Sequence, residues 1–170
     1  MLYFLENLKY NHELVICDSE LSQQAHKELF RFNAEAYLIT DETTNVFDII
    51  LSTINSCNST SGTYPTKIHL TLTWENLLRL SLWKATKPTT GDALTLLRNA
   101  GITSQELQLL RTADINDIFP YLYYGKQFNI LRKICHTAKR EMENHLKDRP
   151  IRVDCHLIAD DTKRIVASSL

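Results

Sequence analysis

Four polar residues between 104 and 111 have side chains that could read the base edges of DNA. Ser104, Gln105, Gln108 and Arg111 recur at helical spacing, so they share the outer face of a short helix while its leucines face inward. Glutamine forms paired hydrogen bonds with adenine and arginine forms them with guanine. We therefore take these four residues as candidates for contact with DNA bases.

A longer helix, expected over residues 127–148, carries basic side chains that could contact phosphates. Lys133, Lys139 and Arg140 are the candidates, because neutralising phosphates supplies the part of DNA affinity that does not depend on sequence. The other interpretation is a solvated helix face, in which Glu143 and Lys147 form an ordinary i,i+4 ion pair.

Catalytic groupings are few. Cys135 and His136 are adjacent, but neighbours on a helix diverge by about 100° and do not face each other. Asp154 and His156 share one face of an expected strand, without a nucleophile or metal partner visible in the sequence. The chain has no glycine-rich phosphate loop and no H-E-x-x-H motif. We expect no enzyme, no catalytic residue, no metal, no cofactor and no small-molecule substrate.

The elements that position the base-reading candidates are two short helices separated by a tight turn. Gly101 suits the end of the first helix, where a positive φ is needed. Thr103 and Glu106 have the spacing of a capping box, and Ile102 and Leu107 that of a hydrophobic staple. This helix-turn-helix-like element, over residues 92–111, has the outline of a DNA-binding motif, although plain helical packing has the same punctuation.

Composition indicates an ordinary globular protein. Of 170 residues, 44% are hydrophobic and 23% charged, and the four glycines and four prolines favour helices over a turn-rich β fold. Four cysteines lack C-x-x-C and zinc-finger spacing. Because the N-terminus lacks the basic region of a signal peptide and no apolar run approaches the ~20 residues of a membrane span, we expect a cytoplasmic protein with free thiols and no membrane partner.

Charge is divided unevenly along the chain, although the net charge is only −1. Residues 1–66 carry three basic against nine acidic side chains, and residues 67–170 carry sixteen against eleven. A Ser-, Thr- and Asn-rich stretch at 57–66 predicts a linker between an acidic α/β part (1–56) and a basic, mostly helical part. The split can mean a surface for polyanions, or two parts that attract each other within one domain or across a dimer.

Hydrophobic periodicity predicts an α+β fold, predominantly helical, with short strands near the N-terminus, at 67–73 and in a C-terminal hairpin. Ile68 to Leu72 alternates as a half-buried strand does. We expect helices capped by Asp92 and beginning at Asp41–Thr44, whereas 36–39 could extend a helix or start a strand.

The longest expected helix also carries an apolar stripe at a spacing of three to four residues. The stripe comprises Leu131, Cys135, Ala138, Met142 and Leu146. Over barely three heptads it could form a dimer seam, but packing in the core is the favoured interpretation.

Residues 94–136 resemble the D subunit of the flagellar master regulator, the FlhD family of transcriptional activators. The shared features are a Leu-rich helix, Gly101-Ile102, the Thr103–Glu106 segment, a pair of leucines and a later Cys-His pair. They cover about forty of the 170 residues. The resemblance implies a helical, dimer-forming protein that activates transcription with a partner subunit.

These observations lead to one main functional hypothesis and one alternative. The main hypothesis is a small cytoplasmic regulatory protein that binds DNA and forms a homo-oligomer or joins a partner subunit. The alternative is a protein–protein interaction module without catalysis: an adaptor, an antitoxin or immunity protein, or an assembly subunit.

Overall fold

The computed structural model describes residues 12–40, 45–59, 64–146 and 149–170. In these residues the strands are β1 (Glu13–Cys17), β2 (Tyr37–Ile39), β3 (Lys67–Leu72), β4 (Arg152–Ala159) and β5 (Arg164–Ser168). The helices are α1 (Glu20–Leu29), α2 (Val46–Asn58), α3 (Trp74–Ser81), α4 (Thr90–Ala100), α5 (Ser104–Leu110), α6 (Ile115–Tyr124) and α7 (Phe128–His145). The expected fold class, α+β and predominantly helical, is confirmed.

All five strands belong to one sheet, in the order β2-β1-β3-β4-β5. The first four strands are parallel, and β5 returns antiparallel to β4 as the expected C-terminal hairpin. Because β1 and β3 are hydrogen-bonded neighbours, the acidic and basic parts of the chain share one sheet. Helix α2 extends through Asn58, so the first two residues of the 57–66 segment are helical, and residues 60–63 lie outside the described residues.

The sheet is covered on both faces, which corrects the expectation of a half-buried third strand. One face packs its leucines, isoleucines and valines against α2 to α7. The other face packs against α1 and the segment from 30 to 36. His69 and Thr71 are therefore buried although they alternate with apolar residues in β3, as is usual for a strand inside a parallel sheet.

Two helices begin at other residues than the acidic ones that the sequence suggested as their starts. Thr89, not Asp92, is the N-cap of α4, and Asp92 is the third helical residue of the capping box. Asn45 caps α2 through its side chain, while the expected start at 41–44 falls outside the described residues. Residues 36–39, which the sequence left open between helix and strand, form the end of a short 3-10 turn followed by β2.

The apolar stripe of α7 faces the core. Its five residues, Leu131 to Leu146, are at most 1% exposed and pack in the main hydrophobic cluster. The favoured interpretation, packing in the core, is confirmed. Other residues of the same chain cover this stripe.

Candidate functional site

The turn between α4 and α5 has the expected local geometry. Gly101 adopts a φ of 100°, and its N–H bonds the carbonyl of Leu97 at 3.1 Å. Both bonds of the Thr103–Glu106 capping box are present. Ile102 is 7% exposed and packs in the core. Local caps and one apolar anchor thus hold α5 at a fixed angle to α4.

The base-reading candidates lie on the outer surface of α5. All four, Ser104, Gln105, Gln108 and Arg111, are exposed, whereas Leu107 and Leu110 of the same helix are buried. Ser104, Gln108 and Arg111 line a surface groove of about 390 Å³, which is bordered by Arg98 and Leu94 of α4. Among the residues that the structure describes, no acidic side chain lines this groove.

A second groove, of about 280 Å³, runs along the other side of α4 against α7. Its polar lining consists of Asn99, Lys133, His136, Thr137 and Arg140. Here too, none of the described acidic side chains is part of the lining. The two grooves together place three arginines and one lysine around the exposed side of one helix.

The three phosphate candidates differ in their surroundings. The Lys133 ammonium donates a hydrogen bond to the carbonyl oxygen of Ala100 at 2.7 Å, which caps the end of α4. The Lys139 ammonium lies 3.7 Å from a carboxylate oxygen of Asp154. Arg140 is exposed, and no described carboxylate lies within ion-pair distance of it. Of the three side chains, Lys139 is the one near a described carboxylate, which it shares with Lys67.

Glu106 is held away from both grooves by hydrogen bonds. Its carboxylate accepts from the Thr103 hydroxyl at 2.6 Å and from the Gln127 amide at 2.7 Å. The Thr103 hydroxyl, its backbone N–H and Gln127 lower the pKa of this exposed carboxyl. Glu106 therefore stays negatively charged, and its capping bonds hold this charge at the start of α5, outside the lining of both grooves.

The groupings considered for catalysis are separated by the fold. Cys135 is buried beside Cys155, and His136 points outward into the second groove. Asp154 and His156 do share one face of β4, and both are buried. Burial alone raises the pKa of Asp154. The hydrogen bond and charge of Lys67, together with the charge of Lys139, outweigh this effect, so the pKa is lowered.

A third cavity, of about 290 Å³, opens at the carboxyl end of β4. Aromatic side chains of α3 and α6 form its walls, and Asp160 and Asp161 of the β4–β5 turn lie at its rim. The Tyr124 hydroxyl donates to Asp161 at 2.6 Å. None of the base-reading, phosphate-contact or catalytic candidates of the sequence analysis lines this cavity.

Three buried histidines meet on the sheet face that α1 covers. His26 comes from α1, His69 from β3 and His156 from β4, and each is at most 1% exposed. One ring nitrogen from each lies within 4.8 Å of the others. The His69 and His156 rings are nearly parallel, with Nδ1 of His69 3.2 Å from Nε2 of His156, and the His26 ring stands edge-on to both.

The outer nitrogens of this histidine cluster point at oxygen atoms. Nδ1 of His26 lies 3.0 Å from the Tyr37 hydroxyl, and Nδ1 of His156 lies 2.9 Å from the Ser168 hydroxyl. Nε2 of His69 is 3.6 Å from a carboxylate oxygen of Glu13. Nε2 of His26 and Nε2 of His69 are buried without a hydrogen-bond partner among the described residues.

Burial keeps all three imidazoles neutral. It is the largest cause lowering the pKa of His26 to about 3 and those of His69 and His156 to about 4. Mutual repulsion within the cluster and the positive charge of Lys67 lower these pKa values further, and Asp154 opposes the shift at His69 and His156. At neutral pH each ring therefore retains one unprotonated nitrogen.

Sequence reasoning considered His156 but missed the cluster. His69 and His156 are 87 residues apart, and only strand pairing brings them together. The available signal was the polar residue at alternate positions of two apolar strands, which marks one shared face once the strands are known to be neighbours.

Comparison with protein-family models, curated proteins and solved structures finds no match to this chain. The resemblance of residues 94–136 to the FlhD family therefore stays a prediction. In the part of the chain that the structure describes, no helix is both long and apolar enough to cross a bilayer.

Proposed function

We propose that the protein is a DNA-binding regulator that contacts DNA through α4, α5 and the adjoining surface of α7. The observation that carries this proposal is the pair of grooves flanking α4. Their lining contains Arg98, Arg111, Lys133 and Arg140 and no carboxylate of the described part of the chain. A protein that is nearly neutral overall has thus gathered basic side chains on one surface, as polyanion binding requires.

The proposed contacts divide between bases and phosphates. Ser104, Gln105, Gln108 and Arg111 are assigned to base edges, since they are the exposed polar residues of α5 and its C-cap. A helix with its side chains is about 10–12 Å in diameter, so α5 fits a major groove about 12 Å wide. Arg98, Lys133 and Arg140 are assigned to phosphates.

Two further parts of the proposal concern compartment and assembly. The four cysteines are buried and free, which supports a reducing, cytoplasmic environment. A helix as short as α5 reads few base pairs, so we infer that the protein acts as a homo-oligomer or with a partner subunit, as helix-turn-helix proteins that bind paired half-sites do.

The experiment that tests this function measures fluorescence anisotropy of labelled DNA duplexes of varied sequence. We expect micromolar binding at ~50 mM salt that weakens at ~200 mM. The double variant Gln108→Ala/Arg111→Ala should bind different duplexes with more equal affinity, because the assigned base contacts are gone. Undiminished sequence preference in the double variant contradicts the assignment of α5, and no binding at either salt contradicts the function.

Leu109 favours a second candidate, a protein–protein interaction module. This leucine is 67% exposed in the middle of α5, beside the proposed base contacts. A single exposed leucine is ordinary on a protein surface, so a variant at this position has to test whether it contacts a partner. A Leu109→Ser variant should abolish capture of a protein partner, whereas its effect on phosphate-dominated DNA binding should be small.

A further inference from the structure

We propose that His26, His69 and His156 form a binding site for a transition-metal ion, and that Zn²⁺ fits its chemistry best. The site lies on the sheet face opposite the main core, away from the proposed DNA surface, and it does not depend on that function. Three imidazole nitrogens are ligands that zinc prefers, and such sets commonly leave a fourth position for water.

The distances within the cluster agree with metal coordination. Two nitrogens that each lie 2.0–2.1 Å from a tetrahedral ion are separated by about 3.3 Å. Nδ1 of His69 and Nε2 of His156 are already 3.2 Å apart. The inner nitrogens all lie within 4.8 Å of one another, so bringing His26 into the same sphere takes a displacement of at most about 1.5 Å.

Each ring also has the orientation that a metal ligand needs. With one nitrogen turned inward, the other nitrogen of each ring faces an oxygen: Tyr37 for His26, Ser168 for His156 and Glu13 for His69. Metal-binding histidines donate their second N–H to such acceptors, and this bond fixes the tautomer that leaves the inner nitrogen unprotonated. The bond is within hydrogen-bond distance for His26 and His156, whereas His69 and Glu13 are 3.6 Å apart. The three different acceptors come from β1, β2 and β5, so the whole sheet holds the site.

A hydrogen-bond network without metal explains less. A single bond between His69 and His156 leaves Nε2 of His26 and Nε2 of His69 buried with no partner. Buried polar atoms without partners are rare in native proteins because each one forfeits its hydrogen bonds with water. A bound ion gives Nε2 of His26 a partner, and only Nε2 of His69, 3.6 Å from Glu13, is then left without a hydrogen bond.

The aromatic surroundings of the cluster favour an ion that binds few water molecules. Phe30 stacks on the His26 ring at 4.5 Å, and Phe32 stands edge-on to His69 at 5.2 Å. Among the described residues, no fourth histidine, cysteine or carboxylate joins the group. Mg²⁺ and Ca²⁺ prefer oxygen ligands, so three imidazoles in an aromatic pocket select against them.

The test titrates the metal-stripped full-length protein with Zn²⁺ against a chromophoric chelator, and with Co²⁺ as a spectroscopic probe. We expect one ion per chain, a rise in the melting temperature and visible Co²⁺ bands of a four-coordinate site with three nitrogen ligands. His69→Gln and His156→Gln should remove the bands. His12→Gln, which changes an exposed histidine outside the cluster, should leave them unchanged.

A second variant keeps the proposal testable if loss of a buried histidine prevents folding. Tyr37→Phe retains all three rings and removes only the oxygen next to His26, so it should weaken Zn²⁺ binding about 10- to 100-fold without abolishing it. The proposal is overturned if the wild-type protein binds neither ion, or if folded cluster variants and Tyr37→Phe bind with unchanged affinity.

Discussion

The salt dependence of DNA binding should report how many basic side chains contact phosphates. The phosphate contacts assigned to the grooves beside α4 are Arg98, Lys133 and Arg140. Each neutralised phosphate contributes a slope of about −0.9 to the plot of log affinity against log salt, so three contacts give about −2.7. A fourfold rise in salt should then weaken binding by about 40-fold.

The double variant Arg98→Ala/Arg140→Ala removes one contact from each groove. Its slope should fall to about −0.9, so the same rise in salt should weaken binding only about 3- to 4-fold. Lys133 is left in place because its bond to the Ala100 carbonyl also caps α4. Anisotropy titrations at five or more salt concentrations measure these slopes, with circular dichroism to confirm that the variant is folded.

Two single variants serve as matched controls. Arg31→Ala removes an exposed arginine from the segment on the other side of the sheet. Lys139→Met removes an ammonium that lies 3.7 Å from Asp154 and lines neither groove. Both should keep the wild-type slope. An unchanged slope in the double variant, or an equal fall in Arg31→Ala, would refute the assignment of these grooves as the phosphate-binding surface.

Three further predictions concern stability. Gly101→Ala should lower the free energy of unfolding by about 1 kcal/mol in urea titrations, because alanine resists a φ of 100°, and an equally stable variant contradicts that reading of the turn. Asp92→Asn should lower the free energy of unfolding by roughly 0.5 kcal/mol at pH 7. The hydrogen bond from Lys84 is the largest cause lowering the Asp92 pKa from 3.8 to about 2, so this loss of stability should disappear as the pH falls through that range. A loss of stability that does not depend on pH would contradict this explanation. Leu131→Ala should cost about 2–5 kcal/mol because the side chain is fully buried, whereas Leu109→Ala, on an exposed position, should change the unfolding free energy by less than about 0.5 kcal/mol; comparable losses would contradict the packing of α7.

The elements with local causes were predictable from sequence. The turn around Gly101 and the Thr103–Glu106 box follow from residues at most three or four positions apart, and the structure has both. The C-terminal hairpin follows from alternation on either side of a polar turn, which is also local. The sequence predicts Asp92 as the N-cap of α4, whereas the N-cap is Thr89. Both residues belong to one capping box, and each is of a type that often caps a helix.

The environment of each charged side chain required the tertiary structure. Lys139 and Arg140 are neighbours in sequence, yet one ammonium approaches Asp154 of β4 while the other side chain lies in a groove. A helix turns about 100° per residue, so adjacent residues meet different elements. Which elements they meet depends on how α7 lies against the sheet.

The histidine cluster shows the same division most clearly. Alternation in the sequence predicts polar residues at every second position of β3 and β4. Only the pairing and register of the strands placed His69 beside His156, and only the packing of α1 added His26. Local patterns set which way a side chain points, but contacts between segments 87 residues apart depend on the free energy of the whole packed sheet.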